Sequence, residues 1–241
     1  MTDSSYYGKP IINPPTWAEL DIAGYLFAGG LAGGSSILAA GADLTGRPGL
    51  ARPAKLCASV AISVSLLALI HDLGRPARFL HMLRVFKPSS PMSVGVWILF
   101  FYGPLAAGSA ASDLTGIAPR TGRAAGVGAG VLGSAVASYT AALIADTAVP
   151  AWHDAHRELP FLFAGSAAAA GAGFGLLAGP LAQNEPARRM ALLGGVSELV
   201  AERLMERRLG MVAEALQTGI AGRRLRAARA LTLAGVAGAA G

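Results

Sequence analysis

The chain has a single cysteine, Cys57, in 241 residues. No internal disulfide can form, and no cysteine set can hold zinc or an iron–sulfur cluster. Any iron–sulfur chemistry must belong to a partner. Charge is scarce too: 14% of the residues are charged, against 53% hydrophobic. There are four histidines, and His71, His81, His153 and His156 all fall at the edges of apolar runs or in loops. A haem in a helical bundle usually takes two axial histidines from within spans. No haem is therefore expected, and no metal. The opening "MTDSSYYGKPIINPPTW" lacks a basic start followed by an apolar core. It does not read as a signal peptide, so the first span is expected to act as the insertion signal.

What is present is apolar and glycine-rich. Mean hydropathy is +0.50 and there are 32 glycines, the profile of a helical membrane protein. The formal charge is +6. The basic residues lie mostly between apolar runs, where they set topology and meet lipid head groups. Nucleic acid is not an expected partner.

A span needs roughly 20 apolar residues to cross the hydrocarbon layer. Five stretches qualify: Ile22 to Ala42, Ala54 to Ile70, Val94 to Ala111, Ala124 to Ala145 and Phe161 to Leu181. The fold class is all-α, a polytopic transmembrane helix bundle. An extramembrane segment over 1–20 precedes a single transmembrane domain over 21–241. A charged sixth helix follows the fifth span. In it Glu198, Glu202, Arg203, Glu206 and Arg207 lie at i, i+3 and i, i+4 spacings, as in a membrane-embedded or interfacial amphipathic helix. The final run "GRRLRAARALTLAGVAGAAG" begins with a basic stop and looks too short to cross, so the domain is expected to be incomplete at its C-terminal end. Small residues recur at four-residue spacing in "GGLAGGSS" and "GVGAGVLGS". That spacing allows close helix packing, although membrane helices are rich in glycine anyway.

Five spans alternate the two faces. The face on which the chain starts receives the 71–91 loop and the 146–160 loop, with all four histidines. The opposite loops, "DLTGRPGLARPAK", "DLTGIAPRTGR" and "QNEPARR", read as ordinary turns. They hold seven basic residues: Arg47, Arg52, Lys55, Arg120, Arg123, Arg188 and Arg189. The starting face holds six: Lys9, Arg75, Arg78, Arg84, Lys87 and Arg157. The positive-inside rule is nearly tied. Five of those six lie in the two loops that carry chemistry. Setting them aside makes the starting face the outer one.

Polar residues at that face form candidate sites. Asp21 and Tyr25 sit at i, i+4 and share one helix face, beside Trp17. An acid at a membrane edge is a functional hypothesis, with interfacial anchoring as the ordinary alternative. Tyr139 lies well inside the fourth span and needs a hydrogen-bond partner, either backbone or ligand. Asp146 closes the same helix. Asp72, Arg75, Arg78, His81, Arg84 and Lys87 crowd one loop, and His153 sits in the next. Arginine suits bidentate pairing with carboxylates across an interface. Arg75, Arg78, His81, Arg84 and His153 are candidate docking residues for another subunit. A quinone pocket suits such a recess: it needs donors at two carbonyls, access from the bilayer and a proton source. A transporter site would present similar residues.

The stretches "YLFAGGLAGGSSILAAGA", "HDLGRPARFLHMLRVFKPSSPMSVGVWIL" and "SYTAALIADTAVPAWHDAHRELPFLFAGSA" resemble the NrfD family, the membrane subunit of polysulfide reductase and its relatives. The resemblance runs from residue 6 to about 210. It implies about eight spans, no haem, and a quinone (menaquinone or ubiquinone) near the face that meets a ferredoxin-like iron–sulfur subunit. A molybdopterin catalytic subunit often completes such a complex. It further implies that Tyr139 bonds a quinone carbonyl. By spacing, Asp21 and Tyr25 take the polar positions at the start of the first span.

The expected function is thus a quinone-reactive anchor subunit of a respiratory oxidoreductase in a bacterial cytoplasmic membrane. It is not catalytic alone. Tyr139, Tyr25, Asp21 and Trp17 would bind quinone. Asp72, His81, Asp146 and His153 are candidate proton donors or pocket edges. The alternatives are an ion- or proton-translocating subunit without a quinone site, which Glu198 and Glu202 keep open, and a scaffold that only tethers a soluble enzyme.

Overall fold

The computed structural model describes residues 18–72, 75 and 81–241. Lys9, Trp17 and Arg78 lie outside these residues. Among the described residues there are seven long helices: α1 Glu19–Leu44, α2 Pro48–Asp72, α3 Pro91–Thr115, α4 Pro119–Ala145, α5 Leu159–Ala178, α6 Glu185–Leu209 and α7 Gly219–Ala240. Single helical turns at Pro150–His153 and Glu214–Gln217 shape two connections. Among the described residues there is no strand. The first five helices are long and apolar enough to cross a membrane. At about 1.5 Å rise per residue, the 26 residues of α1 outreach the roughly 30 Å hydrocarbon layer.

Local sequence explains the boundaries. Proline opens α2, α3 and α4 at position N1, where its missing N–H is not needed. Ser90 caps α3, accepting from the Ser93 N–H at 3.4 Å. Gly46 and Gly116 follow α1 and α3 with φ of +70° and +71°, a conformation that favours glycine. One end differs from expectation: α2 begins at Pro48, so Arg52, Pro53 and Lys55 are helical rather than loop. The last run also differs. Its basic stretch is itself helical, giving α7 22 residues.

α1 is the hub, packed against α2, α4 and α5. Its small residues make this possible. A Cβ on Gly33 would strike the Gly133 carbonyl of α4, one on Gly34 the Ala167 carbonyl of α5, and one on Gly29 would crowd Ser65 of α2 at 3.2 Å. Consecutive glycines thus serve different neighbours, and the backbones meet with no side chain between them. Polar ties join α1 to α3 and to α2. Ser36 Oγ and Tyr102 Oη are 2.8 Å apart, and Ser65 Oγ donates to the Tyr25 carbonyl at 3.0 Å.

α6 runs back along α5: Gly175 meets Ala187 at one end, and Gly165 meets Gly194 and Glu198 near the other. Glu185 pairs with Arg189 along the helix at 2.7 Å, but Glu202 and Glu206 take their partner from the neighbouring helix. Arg229 of α7 donates to Glu202 at 2.9 and 3.1 Å and to Glu206 at 2.7 Å. The tertiary arrangement supplies a bidentate guanidinium, a stronger partner than an i, i+4 neighbour.

Candidate functional site

Two tyrosines meet inside the bundle near the starting face. Tyr25 of α1 is buried, at 3% exposure, and its hydroxyl bonds the hydroxyl of Tyr139 on α4. Each position follows from helical register. Tyr25 lies one turn above Gly29, whose lack of a side chain lets α2 approach, and Ser65 of α2 fixes the Tyr25 backbone. Tyr139 lies two residues beyond Ala137, a buried contact on the α1 side of α4.

The two rings line a cavity of about 80 Å³ walled by four helices and the segment that leads into α3. Asp72 from the end of α2, Met82 from the following loop, and Met92 and Val96 from α3 complete its wall. The lining is apolar except for the two hydroxyls and one carboxylate. Methionine thioethers pack well against the flat face of a ring. Gly95 of α3 makes room: a Cβ there would collide with the Tyr139 ring, lying 2.8 Å from Cδ2 and 3.0 Å from Cζ, with Cε2 closer.

A second polar layer sits at the rim. Asp21 Oδ2 is 2.7 Å from His71 Nδ1. Asp72 Oδ1 accepts the Ala18 N–H at 3.0 Å. That bond gives the first turn of α1 an external acceptor and a negative charge at the positive end of its dipole. Asp21 is half-buried and lies one turn outside Tyr25. It shares the tyrosine's helix face, as its spacing predicts, but does not line the cavity.

The remaining candidates fall elsewhere. His81, Arg75 and Arg84 are exposed along the 71–91 loop. Asp146 is exposed, and its N–H ends α4 on the Ala142 carbonyl. His153 is exposed, with Nδ1 3.1 Å from the Ala145 carbonyl. The geometry thus gathers Tyr25, Tyr139 and Asp72, places Asp21 with His71 directly above them, and leaves His81, Asp146 and His153 outside the cavity. Residue types alone did not single out Gly95 and His71. A glycine inside the apolar run "MSVGVWIL" is the available signal for Gly95. His71 was legible as a helix-end histidine, but not as the partner of Asp21.

A second ionic cluster occupies the opposite face. Lys55 is 5% exposed and lies 2.7 Å from Asp43 Oδ2 and 3.0 Å from Asp113 Oδ1. Arg123 donates to the Asp43 carbonyl. The twin "DLTG" segments at 43–46 and 113–116 end α1 and α3 alike and aim both acids at one lysine. That repeat is the sequence signal for the cluster.

Comparison with known proteins agrees with this architecture. The family description "Polysulphide reductase, NrfD" matches residues 12–201. The C subunit of polysulfide reductase from Wolinella succinogenes is 38% identical over 90 residues, which is 35% of the present sequence and 28% of that protein. The match thus spans well under two thirds of the relative's length. No solved structure matches significantly. Five membrane-length helices form the bundle, with the glycine-rich first helix as its hub, and the family match covers most of the sequence; the protein is therefore a multi-pass membrane member of the NrfD (polysulphide reductase) family.

Proposed function

We propose that this protein is the quinone-reactive membrane anchor of an oxidoreductase complex in a bacterial cytoplasmic membrane. It would pass electrons between a docked iron–sulfur subunit and membrane quinone, with a molybdopterin subunit as the further catalytic partner. One observation carries the reading: hydroxyls from two different helices converge in an otherwise apolar cavity that also holds a carboxylate.

The residues suit a quinone head. Two phenols that bond each other use one O–H for that bond and keep the other free. A carbonyl oxygen entering between them can accept from both. Met82, Met92 and Val96 offer flat apolar contact, and Gly95 leaves the Tyr139 ring upright. A bound quinone would supply two-electron, two-proton chemistry. The part of this protein is to hold the carbonyl, exclude bulk water and present proton carriers. Tyr25 and Tyr139 orient the oxygen by donating to it. Asp72 stands at the cavity wall, and the Asp21–His71 pair lies one turn further out. Those groups mark a route of exchange towards the starting face. The basic 71–91 loop, with Arg75 and Arg84 exposed, provides the docking surface for the electron partner.

The ion-translocating alternative draws on the acids of α6. Glu202 is bonded to Arg229 and its charge is neutralised there, which weakens that reading.

Quinol-coupled turnover of the assembled complex carrying Tyr139→Phe tests the proposal. Loss of one donor should raise the KM for quinone about tenfold, the scale of one hydrogen bond, and assembly should be normal. Unchanged turnover and KM would remove Tyr139 from the site.

A further inference from the structure

A second hollow lies beside the tyrosine cavity. It is a groove of about 310 Å³ between α1, α4 and α5, a volume typical of small-molecule sites. Its side chains are apolar apart from the hydroxyls of Thr140 and Ser166. Phe27 lines it from α1 and is 66% exposed, so the groove is open on its lipid side.

The helices set its direction. α1 and α5 leave the starting face and α4 returns to it. Ala23, Thr140 and Leu162 therefore stand at the outer end of the groove, and Leu31, Ala137 and Ala170 lie deeper. From Leu162 to Ala170 the groove follows α5 for about 12 Å, at about 1.5 Å rise per residue. It points from the starting face towards the middle of the bilayer.

Residue size keeps it open. Further in, α1 and α5 touch backbone to backbone: a Cβ on Gly34 would strike the Ala167 carbonyl, and one on Gly171 the main chain of Gly34. One turn nearer the starting face the two helices stand further apart. A Cβ on Gly30 would meet the Ala167 Cβ at 3.5 Å, an ordinary contact. Glycine at that position leaves the room unfilled.

The groove joins the tyrosine cavity at Leu26. That half-buried side chain lines both hollows, and Thr140 in the groove directly follows Tyr139 in the cavity. One space is small and carries hydroxyl donors. The other is longer, apolar and open to hydrocarbon. The head and tail of a lipid-borne molecule differ in the same way.

We infer that the groove between α1, α4 and α5 holds the isoprenoid tail of the quinone whose head lies at Tyr25 and Tyr139. The inference deepens the quinone reading and rests on it. Such a tail is flexible, apolar and branched by a methyl group on each unit. Gly30, Ala167 and Ala170 leave shallow recesses for those branches, and Leu26 is the threshold over which the tail leaves the head. Lipid tails are as apolar as the groove, so the gain is close packing rather than removal from water. A phospholipid acyl chain is the rival occupant. It would fill the groove whether or not the tyrosine cavity is occupied.

The test compares tailed and head-only quinols in the assembled complex. The naphthoquinol and benzoquinol series are both offered, and the series that turns over is scored. Gly30→Leu fills the groove from a position that accepts a β-carbon. The KM for the tailed quinol should rise about fivefold or more, the lower end of the cost of overpacking, and that for the head-only quinol by less than about twofold. Equal shifts for the two quinols, or no shift in either, would overturn the inference. Should Gly30→Leu fail to assemble, the wild-type complex gives a second reading. A quinone of the same series with a diazirine at its tail end is photolysed in the complex, and the adducts are mapped. They should fall within 27–31 and 162–170, and excess head-only quinone should abolish them. Adducts on α2 or α3, or adducts that survive the head-only competitor, would overturn the inference. The two readings fail separately: an unchanged KM in Tyr139→Phe removes the head site, whereas equal shifts in Gly30→Leu remove the tail groove alone.

Discussion

Gly95→Ala is the sharpest probe of the cavity, because it removes no functional group. The new methyl would lie 2.8 Å from Cδ2 and 3.0 Å from Cζ of Tyr139, and nearer still to Cε2. Carbon atoms in favourable contact sit about 3.5–4.0 Å apart. The ring must therefore retreat by about 1 Å or α3 must yield. Either shift disturbs the bond between the Tyr139 and Tyr25 hydroxyls, which joins two different helices. Overpacking costs about 1–3 kcal/mol. For a domain of this size that is a fall of roughly 2–12 °C in apparent Tm. The effect on quinone is separate. One neutral hydrogen bond is worth about 0.5–1.5 kcal/mol, so affinity should drop by about two- to tenfold. Fluorescence quenching by a quinone analogue in the solubilised complex gives the Kd, and a thermal melt gives the stability. A double variant discriminates. Gly95→Ala with Tyr139→Ala should melt close to Tyr139→Ala alone, since the methyl then has space, while quinone binding stays weak. A Gly95→Ala protein with undiminished quinone affinity would show that the upright Tyr139 ring is not what the cavity needs, and the argument from convergent hydroxyls would collapse.

Lys55→Met should destabilise the fold by about 3 kcal/mol, the lower end for breaking a buried ion pair, because Asp113 is 31% exposed while Asp43 is 14% exposed. Adding Asp43→Asn should recover part of the loss. The lone thiol of Cys57, two residues along the same helix, reports the melt through a thiol-reactive dye, and a Lys55→Met melt equal to wild type would deny the cluster its role. Arg229→Met leaves Glu202 buried with its two-pronged partner removed. It should loosen α7 from α6, seen as faster tryptic cleavage at Arg223, Arg224 and Arg226 with the α1–α5 core intact; unchanged cleavage rates would count against the pair as the clasp.

The sequence by itself determined the membrane class and the number of apolar spans. These are one-dimensional properties. A span is a run of apolar residues matched to bilayer thickness, and alternation of loops fixes their sides. Tyr25 and Tyr139 were legible as candidates because a phenol inside an apolar run requires a partner. Their meeting was not legible, since 114 residues separate them and only the packing of α1 on α4 closes that distance. The same holds for Gly95, whose purpose exists only beside the ring it admits, and for Lys55, which reads as a loop basic until two acids from other helices surround it. His81 and Asp146 read as chemically apt and lie outside the cavity, because residue type carries no information about direction. The meeting of α6 with the 146–160 loop waited on the tertiary structure as well: Arg208 clasps Glu158, a contact across 50 residues. Periodicity and hydropathy are local sums. Convergence of side chains, and the cancellation of charge between them, depend on how helices stack in space.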